Sequence, residues 1–139
     1  MNRYLLDTNV VSELRKPRPH GAVVAWLRQL QESQIYLSAV TIGELQAGVE
    51  RTRGQDSNKA AQIESWIDLL EESYQVLPMD SACFRELARL MSGKPDDLLE
   101  DLMIAATARI HELTVATRNE RDFASVGVRI FNPFKLTIS

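Results

Sequence analysis

The sequence predicts one α/β domain, residues 1–139, in which a parallel sheet carries helices on both faces. Two observations predict it. The chain has 139 residues, the length of a single ordinary domain. Short apolar runs alternate along it with longer segments whose apolar residues recur at helical spacing. Strands separated in this way by helices imply a parallel sheet covered on both faces.

Each element follows in order. Arg3 to Leu6 reads as the first strand, and Thr8 to Leu14 turns directly into a helix that Lys16-Pro17-Arg18-Pro19 breaks. Between residues 22 and 31, Val23, Val24, Trp26, Leu27 and Leu30 fall at helical spacing. Ile35 to Leu37 is the second strand. Ser38 or Thr41 can cap the next helix, which runs to about Thr52. Gly54 to Ser57 is a polar loop. Residues 60–72 form an amphipathic helix with Ile63, Trp66, Ile67 and Leu70 on one face. Gln75 to Pro78 is the third strand. Ser81 to Met91 is helical, ended by Gly93-Lys94-Pro95. Leu98 to His111 is a strongly apolar helix, Leu113 to Thr117 a buried strand, and Arg129 to Phe131 a last short strand closed by Asn132-Pro133.

Composition narrows the function. Hydrophobic residues at 45% and charged residues at 25% exclude wholesale disorder. No apolar run spans a bilayer, and the N-terminal residues lack the pattern of a secretory signal. The lone cysteine, Cys83, lies in an apolar helical stretch and reads as a buried, inert thiol, so a reducing compartment, the cytoplasm, is expected. The net charge of −3 argues against a broad basic nucleic-acid surface, yet twelve of the sixteen basic residues are arginine, which suits bidentate phosphate contacts. Two distant histidines, His20 and His111, do not make a zinc site, and no Gly-rich nucleotide loop occurs.

Open α/β sheets place their chemistry beyond the carboxyl ends of the strands. Four acids fall there. Asp7 ends the first strand, where capping by Asp7, Thr8 or Asn9 is the competing explanation. Glu44 points away from the Ile42, Leu45, Val49 face of its helix, and Gly48 one turn on leaves room for a ligand; a solvated glutamate is the alternative. Asp101 sits in a helix apolar almost all round, with small Ala105 and Ala108 on its own side. Asp122 follows the fourth strand through Thr117 and Asn119, which could cap the short helix carrying it; pairing with Arg118 or Arg121 is the alternative. Gathered together, like charges call for a cation, and oxygen-only ligands favour Mg2+ or Mn2+. Such a site suits metal-assisted phosphodiester hydrolysis, with Arg15, Arg118 and Arg121 as candidate phosphate contacts.

The segments LLDTNVVSEL, LSAVTIGELQAGVER, DLMIAATA, LTVATRNERDF and FNP resemble PIN-domain toxins of the VapC type. SELRKPRP and AVVAWL bring the chain nearest the FitB-like subgroup, and the likeness runs from about residue 4 to residue 134. The resemblance implies a three-layer α/β/α sandwich with strand order 3-2-1-4-5. It implies a metal-dependent endoribonuclease held in check by a cognate antitoxin of the VapB or FitA kind, and commonly a homodimer. Carried over residue by residue, the family's acids fall on Asp7, Glu44, Asp101 and Asp122. Asp7 and Asp101 become the direct metal ligands, and Thr8, Asn9, Thr117 and Asn119 become supporting residues. Two departures stand out: Phe134 replaces the tryptophan of a closing NPW, and Glu100 precedes Asp101 where an apolar or small residue is usual.

Two other functions fit the same fold class. A catalytically silent binding module would not need the acids. A small-molecule phosphohydrolase often carries a second aspartate two residues after its nucleophile, where this chain has Asn9. The amphipathic stretches 22–31 and 60–72 could line an antitoxin groove or a dimer contact, or could simply cover the core.

Overall fold

Apolar residues on consecutive strand positions must go to opposite faces of a sheet, and the first strand obeys this rule. In a computed structural model, which describes residues 1–135, strand β1 spans Tyr4–Leu6. Leu5 packs with one helical layer, while Tyr4 and Leu6 pack with the other. The remaining strands are β2 (Ile35–Ser38), β3 (Gln75–Leu77), β4 (Thr114–Ala116) and β5 (Ile130–Phe131). They form one parallel sheet in the order β3-β2-β1-β4-β5. The expected α/β class and strand order are both observed.

Helices α1 (Thr8–Glu13), α2 (Gly21–Arg28), α3 (Ala39–Arg53) and α4 (Ser57–Ser73) connect β1 to β2 and β2 to β3. Helices α5 (Ser81–Met91) and α6 (Leu99–His111) return the chain to β4, and α7 (Glu120–Ala124) leads to β5. The direction of travel across the sheet therefore reverses between β1 and β4, which is where an open α/β sheet leaves a crevice.

Two apolar clusters hold the layers. Val10, Val11, Val23 and Trp26 pack on Leu6 and Leu37, with Trp26 edge-on to Tyr4 at 4.9 Å between ring centroids. Leu87, Leu102, Ile104 and Phe123 pack on Leu5 and Val115 from the other side. The amphipathic faces of α2 and α4 thus serve mainly to cover the core. Cys83 is fully buried, and burial pushes its thiol pKa up. Among the described residues no helix is long and apolar enough to cross a membrane.

Strand and helix ends differ from the sequence reading by one to three residues. The largest differences, three residues each, are at the end of α2, which stops at Arg28, and at the start of α4, which begins at Ser57 because Asp56 caps it, accepting from Lys59 N–H at 3.0 Å. A short 3-10 turn, Asp96–Leu98, precedes α6.

Candidate active site

Asp7 occupies the position where β1 becomes α1. Its extended backbone (φ −68°, ψ 158°) makes it the cap of α1, and its carboxylate accepts from Thr8 N–H at 2.8 Å. Two side chains complete its shell: the Thr117 hydroxyl donates at 2.8 Å and the Asn9 amide at 3.1 Å. Thr117, fully buried beyond β4, gives its only hydrogen to Asp7 and accepts from Asn119 N–H at 2.8 Å. Asn9 is held in turn by Arg118 N–H, which donates to its Oδ1 at 3.2 Å. Capping and convergence are therefore one arrangement, not alternatives. Asp7 is only 5% exposed, and burial raises its pKa despite the bonds from Thr117, Thr8 and Asn9 that pull it down.

Glu44 reaches the same region from the second turn of α3. Ser38 caps that helix, accepting from Val40 N–H at 3.0 Å, and so sets its phase. The Thr8 hydroxyl lies 3.0 Å from Glu44 Oε1 and 3.1 Å from Thr41 Oγ1. Glu44 also shares a hydrogen bond with Glu100, from the first turn of α6. Burial first, then this carboxylate contact, lift Glu44 to a pKa of about 7. Two carboxylates in contact can be tolerated only by sharing a proton or binding a cation.

Asp101 and Asp122 make a second such pair. Burial, then the charges of Asp7 and Asp122, raise Asp101 to about 6, and Asp101 hydrogen-bonds Asp122. Asp122 accepts from the Asn119 amide at 2.8 Å. This corrects the capping expectation for Asn119: it stands at the cap position of α7, yet its side chain makes no cap bond and holds Asp122 instead. Among the described residues Asp122 has no ion pair with Arg118 or Arg121.

The four expected acids are thus brought together, from four separate elements, around the reversal point of the sheet. The set is larger than expected by Glu100. Asp101 turns toward Asp7 and Asp122 while Glu100 turns toward Glu44, so α6 contributes a carboxylate to each side of the bowl. Ala105 and Ala108 do not leave open space beside Asp101. Both are fully buried in the core with Leu5 and Val115, and their small size lets α6 lie close to the sheet.

The arginines are arranged differently from one another. Arg118 lies over the Phe134 ring, 3.8 Å from its centroid, and His20 meets the same ring edge-on at 5.2 Å. Phe134 is therefore a packing platform for both side chains. Arg121 and Arg15 are exposed, and Arg15 lines a surface trough that Glu44 also lines.

Among the described residues, no three acids close on one point as a ready coordination sphere. The donor set is nonetheless all oxygen, and two carboxylate pairs, Glu44 with Glu100 and Asp101 with Asp122, flank an anchored, buried Asp7. Mg2+ suits such a set, because it keeps several waters and takes only one or two carboxylates directly. On these grounds the residues fit a hard divalent cation.

The sequence model of the PIN domain matches residues 4–128. The chain belongs to the PIN-domain family. Toxin FitB of Neisseria gonorrhoeae is 39% identical to this PIN domain over 94% of the chain and 97% of the relative. VapC ribonuclease Y4jK of Sinorhizobium fredii is 36% identical over the same shares. Among solved structures, FitAcB from Neisseria gonorrhoeae superposes with a TM-score of 0.85 at 36% identity, covering 96% of this PIN domain and 99% of the matched chain. These likenesses agree with the VapC and FitB resemblance read from the five segments.

Two residues named in the sequence reading only as a possible cap and as a departure beside Asp101 belong to the site. Thr41, fully buried, braces Thr8. Glu100 could have been found from its place: two acids side by side in a first helical turn fan out by about 100° and can serve two neighbours.

Proposed function

We propose that this PIN domain is a metal-dependent endoribonuclease, the toxin of a toxin–antitoxin pair, acting in the cytoplasm on RNA phosphodiester bonds. One observation carries the reading: five carboxylates from four elements gather around the reversal point of the sheet as two pairs beside the buried Asp7. Kinship to a named VapC ribonuclease and to toxin FitB supports the same reaction class.

Asp7 and Asp101 would hold Mg2+ or Mn2+. When bound, that ion supplies charge neutralisation at the phosphoryl oxygens and a water of lowered pKa. The chain's own contribution is positional. Thr117, Asn9 and Thr8 fix the Asp7 carboxylate through three donors, so its remaining lone pairs keep one direction. Glu44, near pH 7 in its proton affinity, is suited to accept a proton from the attacking water. Asp122, fixed by Asn119, would orient water on the opposite side. Arg15, Arg118 and Arg121 are candidate contacts to substrate phosphates.

A cognate antitoxin would cover this bowl, and self-association as a homodimer is expected with it. The phosphohydrolase alternative is disfavoured because Asn9, an amide bonded to Asp7, cannot act as the acid that reaction needs. The test is cleavage of total RNA by pure protein, with and without Mg2+, read by sequencing the new ends. Discrete Mg2+-dependent ends that vanish in Asp101→Asn are expected. Cleavage that persists at the parental rate in that variant would overturn the reading.

A further inference from the structure

Beside the acidic bowl runs a trough of about 490 Å³ between α1, α3 and the start of α4. That volume lies in the range of small-ligand sites, roughly 300–1,000 Å³. Glu44 and Thr8 form the end it shares with the bowl; Arg15 and Arg51 line it further along. The register on α3 explains the layout. Glu44, Gly48 and Arg51 are spaced by four and three residues and so lie on one face. Gly48 has no side chain, and the Arg51 guanidinium lies over it, with Nη2 3.6 Å from where a Cβ would stand. A missing side chain thus opens the floor and lets an arginine head fold back toward Glu44.

Both arginines of the trough are also without an ion pair, as are seven other arginines among the described residues; what sets these two apart is their place on the trough wall. Arg53, two positions from Arg51, is consumed by Glu50 at 3.0 Å and Glu64 at 3.1 Å. Neither Arg15 nor Arg51 has a carboxylate partner among the described residues. Of the charged side chains that line the trough, Arg15 and Arg51 outnumber the single acid, Glu44, and two guanidinium groups without carboxylate partners suit phosphate oxygens. Ser12, Thr52 and Gln55 add hydroxyl and amide groups, whereas Leu45 and Ile63 alone are apolar. A lining of this kind fits a sugar–phosphate backbone better than the apolar face of a protein helix.

The geometry points to this trough as the RNA-backbone subsite: Arg15 and Arg51 grip a phosphodiester flanking the one that is cut, and Gly48 keeps the floor clear for it. This deepens the proposed function and rests on it for the identity of the substrate. Arg15 and Arg51 are binding residues that set where the strand enters the bowl; the acids perform the chemistry.

The experiment separates binding from cleavage. A fluorescent single-stranded RNA oligonucleotide is titrated by anisotropy at several salt concentrations, using the cleavage-dead Asp7→Asn chain. It is repeated with Arg15→Ala, Arg51→Ala or Arg53→Ala added. Each phosphate contact removed should weaken binding roughly three- to tenfold and flatten the log–log salt slope by about 0.7. Arg53→Ala should change neither. In the chain with Asp7 intact, Arg51→Ala should raise KM with kcat nearly unchanged, and Gly48→Leu, which fills the floor, should do the same. Unfolding curves confirm that each variant folds.

If the parent cleaves RNA while Arg15→Ala and Arg51→Ala leave slope and KM unchanged, the subsite is overturned and the ribonuclease reading stands. If the slopes change as expected but no RNA is cut, the subsite stands and the ribonuclease reading falls. Should the arginine variants lose only affinity for a protein partner, the trough belongs to that partner and the subsite is overturned.

Discussion

Asp7 is the residue on which most of the site's geometry depends, and its removal separates function from folding. Asp7→Asn should lower RNA cleavage more than a hundredfold, while the melting temperature stays level or rises, because a buried charge is lost. Thr117→Val makes the opposite trade. It strands the Asn119 N–H and removes a donor from Asp7, so stability should fall by about 1–2 kcal/mol in urea titration. The ascending limb of the pH–rate profile should also move to higher pH, since Asp7 loses the bond that most strongly lowers its pKa. Glu44 and Asp101 give a pH signature. Their folded values of about 7 and about 6 lie above their ordinary values of 4.5 and 3.8. Between those limits the folded protein keeps protons that the unfolded chain has released. The stability this contributes is complete below about pH 4 and is lost as pH rises through 6 and 7. In EDTA, unfolding free energy should therefore decline between pH 5 and 7.5, by about 1–2 kcal/mol after solvent screening. Glu44→Gln should remove much of that decline. At this scale the sequence was only partly legible. Helical phase placed Glu44 and Asp101 on the correct sides. It said nothing of reach across the gap between α3 and α6, so the Glu44–Glu100 contact became visible only with both helices in place.

Among elements, α6 ends in a way that invites a stabilising change. Glu112 follows it with φ 56° and ψ 46°, a left-handed conformation, and Leu113 N–H closes the end on Ala108 O at 2.8 Å. A residue with a Cβ is strained there, so Glu112→Gly should stabilise the protein by about 0.5–1 kcal/mol, seen as a higher urea midpoint with the slope unchanged. Gly43 in α3 offers the complementary case: a Cβ there meets nothing within 4 Å, and Gly43→Ala should add up to about 1 kcal/mol. Elements were the most legible level. Apolar runs such as Tyr4-Leu5-Leu6 and Val115-Ala116 mark strands covered on both faces, and α5 was bounded correctly at Ser81 and Met91, with Gly93-Lys94-Pro95 after it. The start of α4 was hidden because Ser57, Asn58 and Lys59 are polar. Only the Asp56 cap, a bond and not a periodicity, extends the helix across them.

For the molecule as a whole, the acids act as one body across the sheet's reversal point, and cation binding should register as global stability. Mg2+ at tenfold over its dissociation constant should raise the unfolding free energy by about 1.4 kcal/mol, and Asp7→Asn or Asp101→Asn should abolish that rise in a calorimetric scan. The order of strands was readable only through kinship; periodicity predicts that strands exist, not which becomes whose neighbour. That order also has a temporal meaning. Chains are made from the N-terminus, and β1 borders β4, which arrives more than a hundred residues later. A nascent chain complete through residue 112 lacks Thr117, Asn119 and Asp122 altogether. Asp7 is then missing its 2.8 Å clasp, and the flank of β1 that β4 covers lies bare. The cluster of acids is thus incomplete on any nascent chain until the residues that follow β4 have been made.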